Sequence, residues 1–300
     1  MRRLIFLTII AASIIASSCD PIEDRQELSG RVTADELNVS AVPVLRDGMN
    51  SNYIALNSEG NSCLSTWDYG FGTVVATKDT VQVMLEGENE IKFIGLNGDG
   101  SIVTKTITVQ VDVLYDVAPE WELFCGEDGE KTWVWDGDAR EDGRVWGNGG
   151  YRGSTGPDWW GRDIYGGDND ISEETPYGEH YDNGSYMVFS IKGAKLMKSN
   201  SDGSYQEEGT FSFDFSDEQK IMYNGGADVW AEGKLYTKNV TVLNGISQND
   251  DKKPVYEYDV LKLTGDRMVL AYKTRSGWSE GMWDEWGAEA WFWLFKAAEE

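Results

Sequence analysis

The densest run of chemically competent side chains lies in residues 144–167. Arg144-Val145-Trp146-Gly147-Asn148-Gly149-Gly150-Tyr151 leads to Gly156-Pro157-Asp158-Trp159-Trp160-Gly161, then Arg162 and Ile164-Tyr165-Gly166-Gly167. A second aromatic stretch after Thr274 holds Trp278, Trp283 and Trp286. Large rings set among glycine and polar residues cannot all reach a core from a loop, and a cluster of exposed rings marks a contact surface. What such a surface can do is stack. Indole and phenol faces cover the apolar C–H face of a sugar ring, while carboxylate and guanidinium groups bind its hydroxyls. The candidate glycan-binding residues are therefore Trp146, Tyr151, Asp158, Trp159, Trp160, Arg162, Tyr165, Trp278, Trp283 and Trp286. Trp160, Trp283 and Trp286 rank first as platforms, with Asp158 and Arg162 as the hydroxyl partners. The structural alternative is that Trp146 and one of Trp159 and Trp160 fold back to plug a barrel end. Neighbours in an extended segment point opposite ways, so one of that adjacent pair turns inward.

Catalytic chemistry is weakly supported. The carboxylate sets Asp136/Asp138, Glu173/Glu174 and Asp284/Glu285/Glu289 could serve a glycosidase, which needs two carboxylates about 5.5 Å or ~6.5–9.5 Å apart. With 52 acidic residues in the chain such pairs arise by chance. His180 is the only histidine, which disfavours histidine triads and zinc sites. There is no Gly-x-Ser-x-Gly elbow and no phosphate-binding loop. Asp168-Asn169-Asp170 with Glu173 could hold calcium through oxygen ligands, but an acidic loop ordinarily holds only water. The chain is expected to be a non-enzyme with no metal and no cofactor.

The formal charge is −26, from 26 Lys+Arg against 52 Asp+Glu. A surface this acidic repels phosphate backbones and excludes nucleic acid as a partner. At the N-terminus Arg2 and Arg3 precede a run at 4–16 that is apolar but for Thr8 and Ser13, followed by Ala16-Ser17-Ser18-Cys19. Charge, apolar core and small residues make a secretory signal over 1–18, too short to span a bilayer. Cysteine directly after the small residues is similar to the lipobox of bacterial lipoproteins, which implies lipidation at Cys19. Asp20, Glu23 and Asp24 resemble the surface-export signal of outer-membrane lipoproteins in glycan-scavenging bacteria. That implies an outer-membrane, cell-surface location; residues 19–36 read as an acidic flexible tether.

The elements that must position these residues are strands. There are 34 Gly, 6 Pro and many short apolar stretches, and helical periodicity is weak. Twelve of the 13 Trp lie after Pro119 and only Trp67 before it, which marks a domain boundary near that proline. Residues 37–115 alternate apolar and polar at 37–42, 80–85, 90–96 and 102–113, with turns at 86–89 and 97–100. This predicts a small β-sandwich. In residues 119–300, strand-like segments recur at 131–135, 186–191, 195–199, 209–215, 234–243, 255–263, 268–273 and 290–295. Turns at 200–204 and 264–267 join two pairs of them. The fold class is all-β, a small Ig-like sandwich followed by a larger antiparallel sandwich or lipocalin-like meander barrel. Trp133 and Trp135 share one strand face. Trp291 and Trp293 share another, with Phe292 and Phe295 read on the opposite side. These pairs are expected to be core, or to belong to two strands that close the sheet. Cys63 and Cys125 fit no metal spacing and could pair or stay free; free is the expectation.

Trp67-Asp68-Tyr69-Gly70-Phe71-Gly72 is similar to the Trp-Asp-Phe-Gly-Asp-Gly signature of PKD domains, departing at Phe71. The later order Gly87, Ile91-Lys92-Phe93, Asn97, Gly100, Thr104 and Ile107-Thr108-Val109 follows the same family. The resemblance implies a spacer with Trp67 in its core. The block from Lys131-Thr132-Trp133-Val134-Trp135-Asp136 to Pro157-Asp158-Trp159-Trp160, with Tyr258-Asp259-Val260-Leu261-Lys262-Leu263 and Trp291-Phe292-Trp293, resembles a C-terminal module of surface lipoproteins in polysaccharide-utilisation systems. It implies a starch-utilisation-system-like surface protein binding a β-glucan-like polysaccharide or oligosaccharide. The alternatives are an accessory subunit docking on an outer-membrane glycan importer, its aromatics then a protein interface, and a divergent glycoside hydrolase.

Overall fold

The computed structural model describes residues 31–220, 228–275 and 288–299. The signal, Cys19, most of the tether, Trp278, Trp283, Trp286, Asp284 and Glu285 lie outside the described residues.

Seven strands build the first unit: β1 (Ser40–Arg46), β2 (Met49–Asn57), β3 (Cys63–Asp68), β4 (Thr73–Val75), β5 (Lys78–Gln82), β6 (Gly87–Asn97) and β7 (Ile102–Val111). They form two antiparallel sheets, β1-β2-β5 and β4-β3-β6-β7. The two-residue period is clearest in β6, where Asn89, Ile91, Phe93, Gly95 and Asn97 are buried and the residues between them face out. Trp67 is fully buried, edge-on to Phe93 at 4.9 Å, and its Nε1 donates to the Ala76 carbonyl at 3.1 Å. It is a core residue.

A short helix, α1 (Glu120–Cys125), leads into the second unit. Its strands are β8 (Glu130–Trp135), β9 (Trp146–Gly150), β10 (Trp160–Arg162), β11 (Tyr186–Ser190), β12 (Lys195–Ser199), β13 (Gln206–Asp214), β14 (Gln219–Lys220), β15 (Val229–Ala231), β16 (Gly233–Lys238), β17 (Ile246–Ser247), β18 (Lys253–Pro254), β19 (Glu257–Leu263), β20 (Arg267–Lys273) and β21 (Glu289–Ala297). Eight of them, β8-β11-β12-β13-β16-β19-β20-β21, are antiparallel neighbours in chain order. β21 returns to pair with β8 and closes a meander barrel. Closure removes both sheet edges, the exposed rows of unpaired backbone groups that invite mispairing. All eight predicted segments are barrel strands, and the barrel is the alternative realised.

The closing strands are those that carry the paired aromatics. Trp135 stacks on Phe295 at 4.6 Å across the seam. Trp291, Trp293 and Phe295 share the inner face with Trp133, Trp135 and Tyr258. Phe295 was expected opposite the two tryptophans; two-residue spacing from 291 to 293 to 295 keeps it on their side. Phe292 and Leu294 face outward yet are buried, under a second cluster with Tyr151 and Trp230. β21 is thus covered on both faces.

The two barrel ends differ. At the end where β8 begins, α1 is a stopper: Phe124 is buried and stacks on Phe189 and Phe213, and Trp133 Nε1 donates to its carbonyl at 2.9 Å. Leu85 and Met84 of the first unit pack against the same core. The opposite end, where β12 ends and β21 begins, is covered by segments 171–181 and 239–246 and is the more polar. The predicted strand at 234–243 stops at Lys238. Asn239 turns there with φ +66°, and the chain folds over the mouth. Cys63 and Cys125 are free and lie in separate units, and burial pushes the Cys125 thiol up to about 12.

Candidate functional site

β9 lies along the start of β21, and β10 forms the outer edge beside it. Gly147 and Gly161 face each other in register between β9 and β10. A Cβ on Gly147 would lie 2.1 Å from the Trp160 carbonyl oxygen, so this approach requires glycine. The close pairing carries Trp160 onto the rim of the mouth, edge-on to Trp146 at 5.9 Å and to Trp291 at 6.1 Å. The Trp160 ring remains 39% exposed, and the Arg162 guanidinium stands 5.0 Å from its centroid. Arg162 is itself held by an ion pair with Glu174 and by donation to the Asp168 carbonyl. Trp159, on the other side of β10, is 48% exposed. Tyr165 is 65% exposed and rests on Gly137 and Gly143, its hydroxyl donating to the Gly137 carbonyl at 2.8 Å.

Two sequence candidates are corrected. Trp146 has no exposed surface: it is an inward residue of β9, stacked on Trp291 at 4.6 Å. Tyr151 is buried under the outer cluster, edge-on to Trp230 at 5.0 Å, with Lys273 and Arg152 over its ring. Neither offers a face to a ligand. Asp158 is exposed and paired with Arg140 at 3.0 Å. The structure therefore leaves Trp159, Trp160 and Tyr165 exposed, sets Arg162 beside Trp160, and leaves Asp158 an already paired group. Several of the considered carboxylates are engaged. Asp136 pairs with Arg267, Asp138 with Lys296 and Glu174 with Arg162, while Glu289 accepts from Asn148 and Asn249. Asp170 accepts from Gly166 and Ser172 backbone N–H, the Ser172 hydroxyl and the Asn183 amide. Burial would raise its pKa, but these donors prevail and hold it below the usual value. No group of three or more His, Cys, Asp or Glu among the described residues has metal-holding geometry.

A second concavity, of about 210 Å³, opens at the same end between β12, β13, the 239–246 segment and the turn at 176–181. The residue types alone did not mark it. Lys198 and Glu207 face each other across β12 and β13 and point into the barrel. The Lys198 side chain is only 8% exposed, and its Nζ donates to Glu207 Oε2 at 2.6 Å and Thr241 Oγ1 at 3.0 Å. Tyr181 donates to the same carboxylate at 2.6 Å. Burial would raise the Glu207 pKa, but the bonds from Lys198 and Tyr181 outweigh it and hold the carboxyl low. The signal in the sequence was the turn at 200–204, whose centre sets 198 opposite 207.

No protein-family profile and no curated protein matches the chain. One solved structure, described as carbohydrate-binding modules from the β-sandwich superfamily, aligns over 88% of this chain and 91% of its own. It shares 11% identity at a TM-score of 0.20, a level at which neither fold nor ligand carries over.

Proposed function

We propose that this protein binds glycan at the end of its barrel away from α1, with Trp160 as the principal stacking ring and Trp159 and Tyr165 as further exposed rings. One observation carries the reading. Among the described residues, every exposed Trp or Tyr ring (Trp159, Trp160, Tyr165 and Tyr256) lies at that end. The other described Trp, Tyr and Phe rings of this unit are buried or half-buried. Exposed indole costs burial free energy unless a ligand covers it. The Arg162 guanidinium beside Trp160 supplies donors for hydroxyls. In the finer form of the proposal, the first unit is a spacer, and the chain is a cell-surface lipoprotein anchored through Cys19 that captures polysaccharide for uptake. The N-terminal sequence pattern supports that form.

Affinity electrophoresis against a polysaccharide panel, with reducing-end release measured in parallel, tests the reading. Retardation by at least one polysaccharide, weakened about five- to thirtyfold by Trp160→Ala, is expected, because a stacked ring contributes roughly 1–2 kcal/mol. Reducing-end release would favour the hydrolase instead. The docking-subunit reading has its own support: Leu64, Leu96 and Ile102 form an exposed apolar row across β3, β6 and β7. Retardation unchanged by Trp160→Ala and Trp159→Ala would move that reading ahead.

A further inference from the structure

We propose that the concavity beside Lys198 is a second binding site, which takes one neutral sugar ring. It has a built polar wall. Asn244 lines it, is 5% exposed, and its Nδ2 has no hydrogen-bond partner. A buried amide N–H left unpaired destabilises the fold, a cost that a ligand acceptor removes. Lys198 has three N–H donors and spends two, on Glu207 and Thr241. The acceptor is Glu207 Oε1, because the bonds from Lys198 and Tyr181 both go to Oε2. Donors and an acceptor side by side suit hydroxyls, which both give and take hydrogen bonds.

Part of the wall is aromatic. His180 and Tyr205 stack at 4.2 Å with 6° between their planes, and Tyr181 meets Tyr205 edge-on at 5.3 Å. That wall can cover the C–H face of a pyranose while the polar wall reads its hydroxyls.

Other ligand classes fit less well. A cation finds Lys198 already over the Tyr181 ring at 5.1 Å. For an anion, the Lys198 charge is matched by Glu207 at 2.6 Å in a chain of charge −26. An apolar ligand would leave the Asn244 and Lys198 donors unpaired. About 210 Å³ is below the roughly 300–1,000 Å³ of drug-sized ligand sites, which limits the occupant to about one ring. The pocket then reads a chain end or a free monosaccharide, whereas the Trp160 rim lies along a chain.

The test is saturation-transfer NMR and titration calorimetry on the full chain. The probes are glucose, galactose, mannose, xylose, fucose and N-acetylglucosamine at millimolar concentration, with tetramethylammonium and inorganic phosphate as charged probes. Saturation of at least one sugar is expected, with affinity lowered about tenfold by Asn244→Asp and by Tyr205→Ala. Asn244 has φ +46°, which Asp tolerates, so the first variant keeps the backbone while replacing a donor by an acceptor. Near-ultraviolet circular dichroism confirms that both variants are folded. No transfer to any sugar, binding indifferent to both variants, or preferential binding of either charged probe overturns the proposal. Monosaccharide binding in Asn244→Asp reports on this pocket and polysaccharide retardation in Trp160→Ala on the rim, so the two readings fail separately.

Discussion

Barrel closure rests on a short seam, and Trp135→Ala probes it. β8 and β21 share three registered pairs: Phe295 with Trp135, Lys296 with Val134 and Ala297 with Trp133. The Trp135 ring is buried, stacks on Phe295 at 4.6 Å and donates from Nε1 to the Tyr177 hydroxyl at 2.9 Å. Truncating a buried tryptophan costs roughly 3–5 kcal/mol in lost burial and cavity formation. The ring pair adds about 0.5–1.5 kcal/mol and the hydrogen bond about 1 kcal/mol. A loss of ~5 kcal/mol is a large part of the roughly 5–15 kcal/mol that holds a domain folded. At about 2–4 °C per kcal/mol for a unit of this size, the barrel Tm should fall by ~10–20 °C. Scanning calorimetry of the full chain measures it. The transition of the first unit is an internal reference, because Trp135 belongs only to the barrel core. Trp135→Phe keeps most of the volume without the N–H and should lose about 1–2 kcal/mol. A barrel transition for Trp135→Ala within a few degrees of wild type would refute closure through this contact.

Gly147→Ala should force β10 off β9, because the new methyl meets the Trp160 carbonyl oxygen at 2.1 Å. Polysaccharide retardation should drop as far as in Trp160→Ala, with a blue or red shift in tryptophan fluorescence; unchanged retardation would show that β10 does not position the ring. Asp170 has a folded-state pKa below its unfolded value, so its stabilisation is present above that unfolded value, near 4, and is lost as pH falls through the folded one. Asp170→Asn should therefore lower neutral-pH stability by about 1–3 kcal/mol and flatten the acid limb of stability against pH. An acid limb as steep as wild type in chemical denaturation would contradict that account.

The barrel strands were legible as short apolar or alternating stretches without helical period, and the turns between them carry Gly, Asn and Asp. β9 was not. Trp146-Gly147-Asn148-Gly149-Gly150 offers no period, and it becomes a strand only because β21 supplies the partner. Trp146 was misplaced for the same reason: its burial comes from Trp291, 145 residues away in sequence, and not from its own glycine-rich neighbourhood. Trp159, Trp160 and Tyr165 stayed exposed; the expectation that one of the adjacent tryptophans turns inward failed, because β10 is an outer edge strand with no barrel interior on either side of it. The Lys198 pocket escaped notice because its walls come from four separate segments. Only the Lys198–Glu207 pairing was recoverable locally, by counting outward from the turn at 200–204.

The stopper formed by α1 gives the molecule a polarity. Pro119 enters at the plugged end, and Leu85 of the first unit packs there as well. Any pull or tether acting through residue 31 reaches the barrel at its stopper, which leaves the mouth as the distal pole. On the proposed reading, a polymer far longer than the protein meets the aromatic rim at the pole away from the tether. A pull at the mouth against the tether would then draw α1 away from the barrel, loading the stacks of Phe124 on Phe189 and Phe213 in tension.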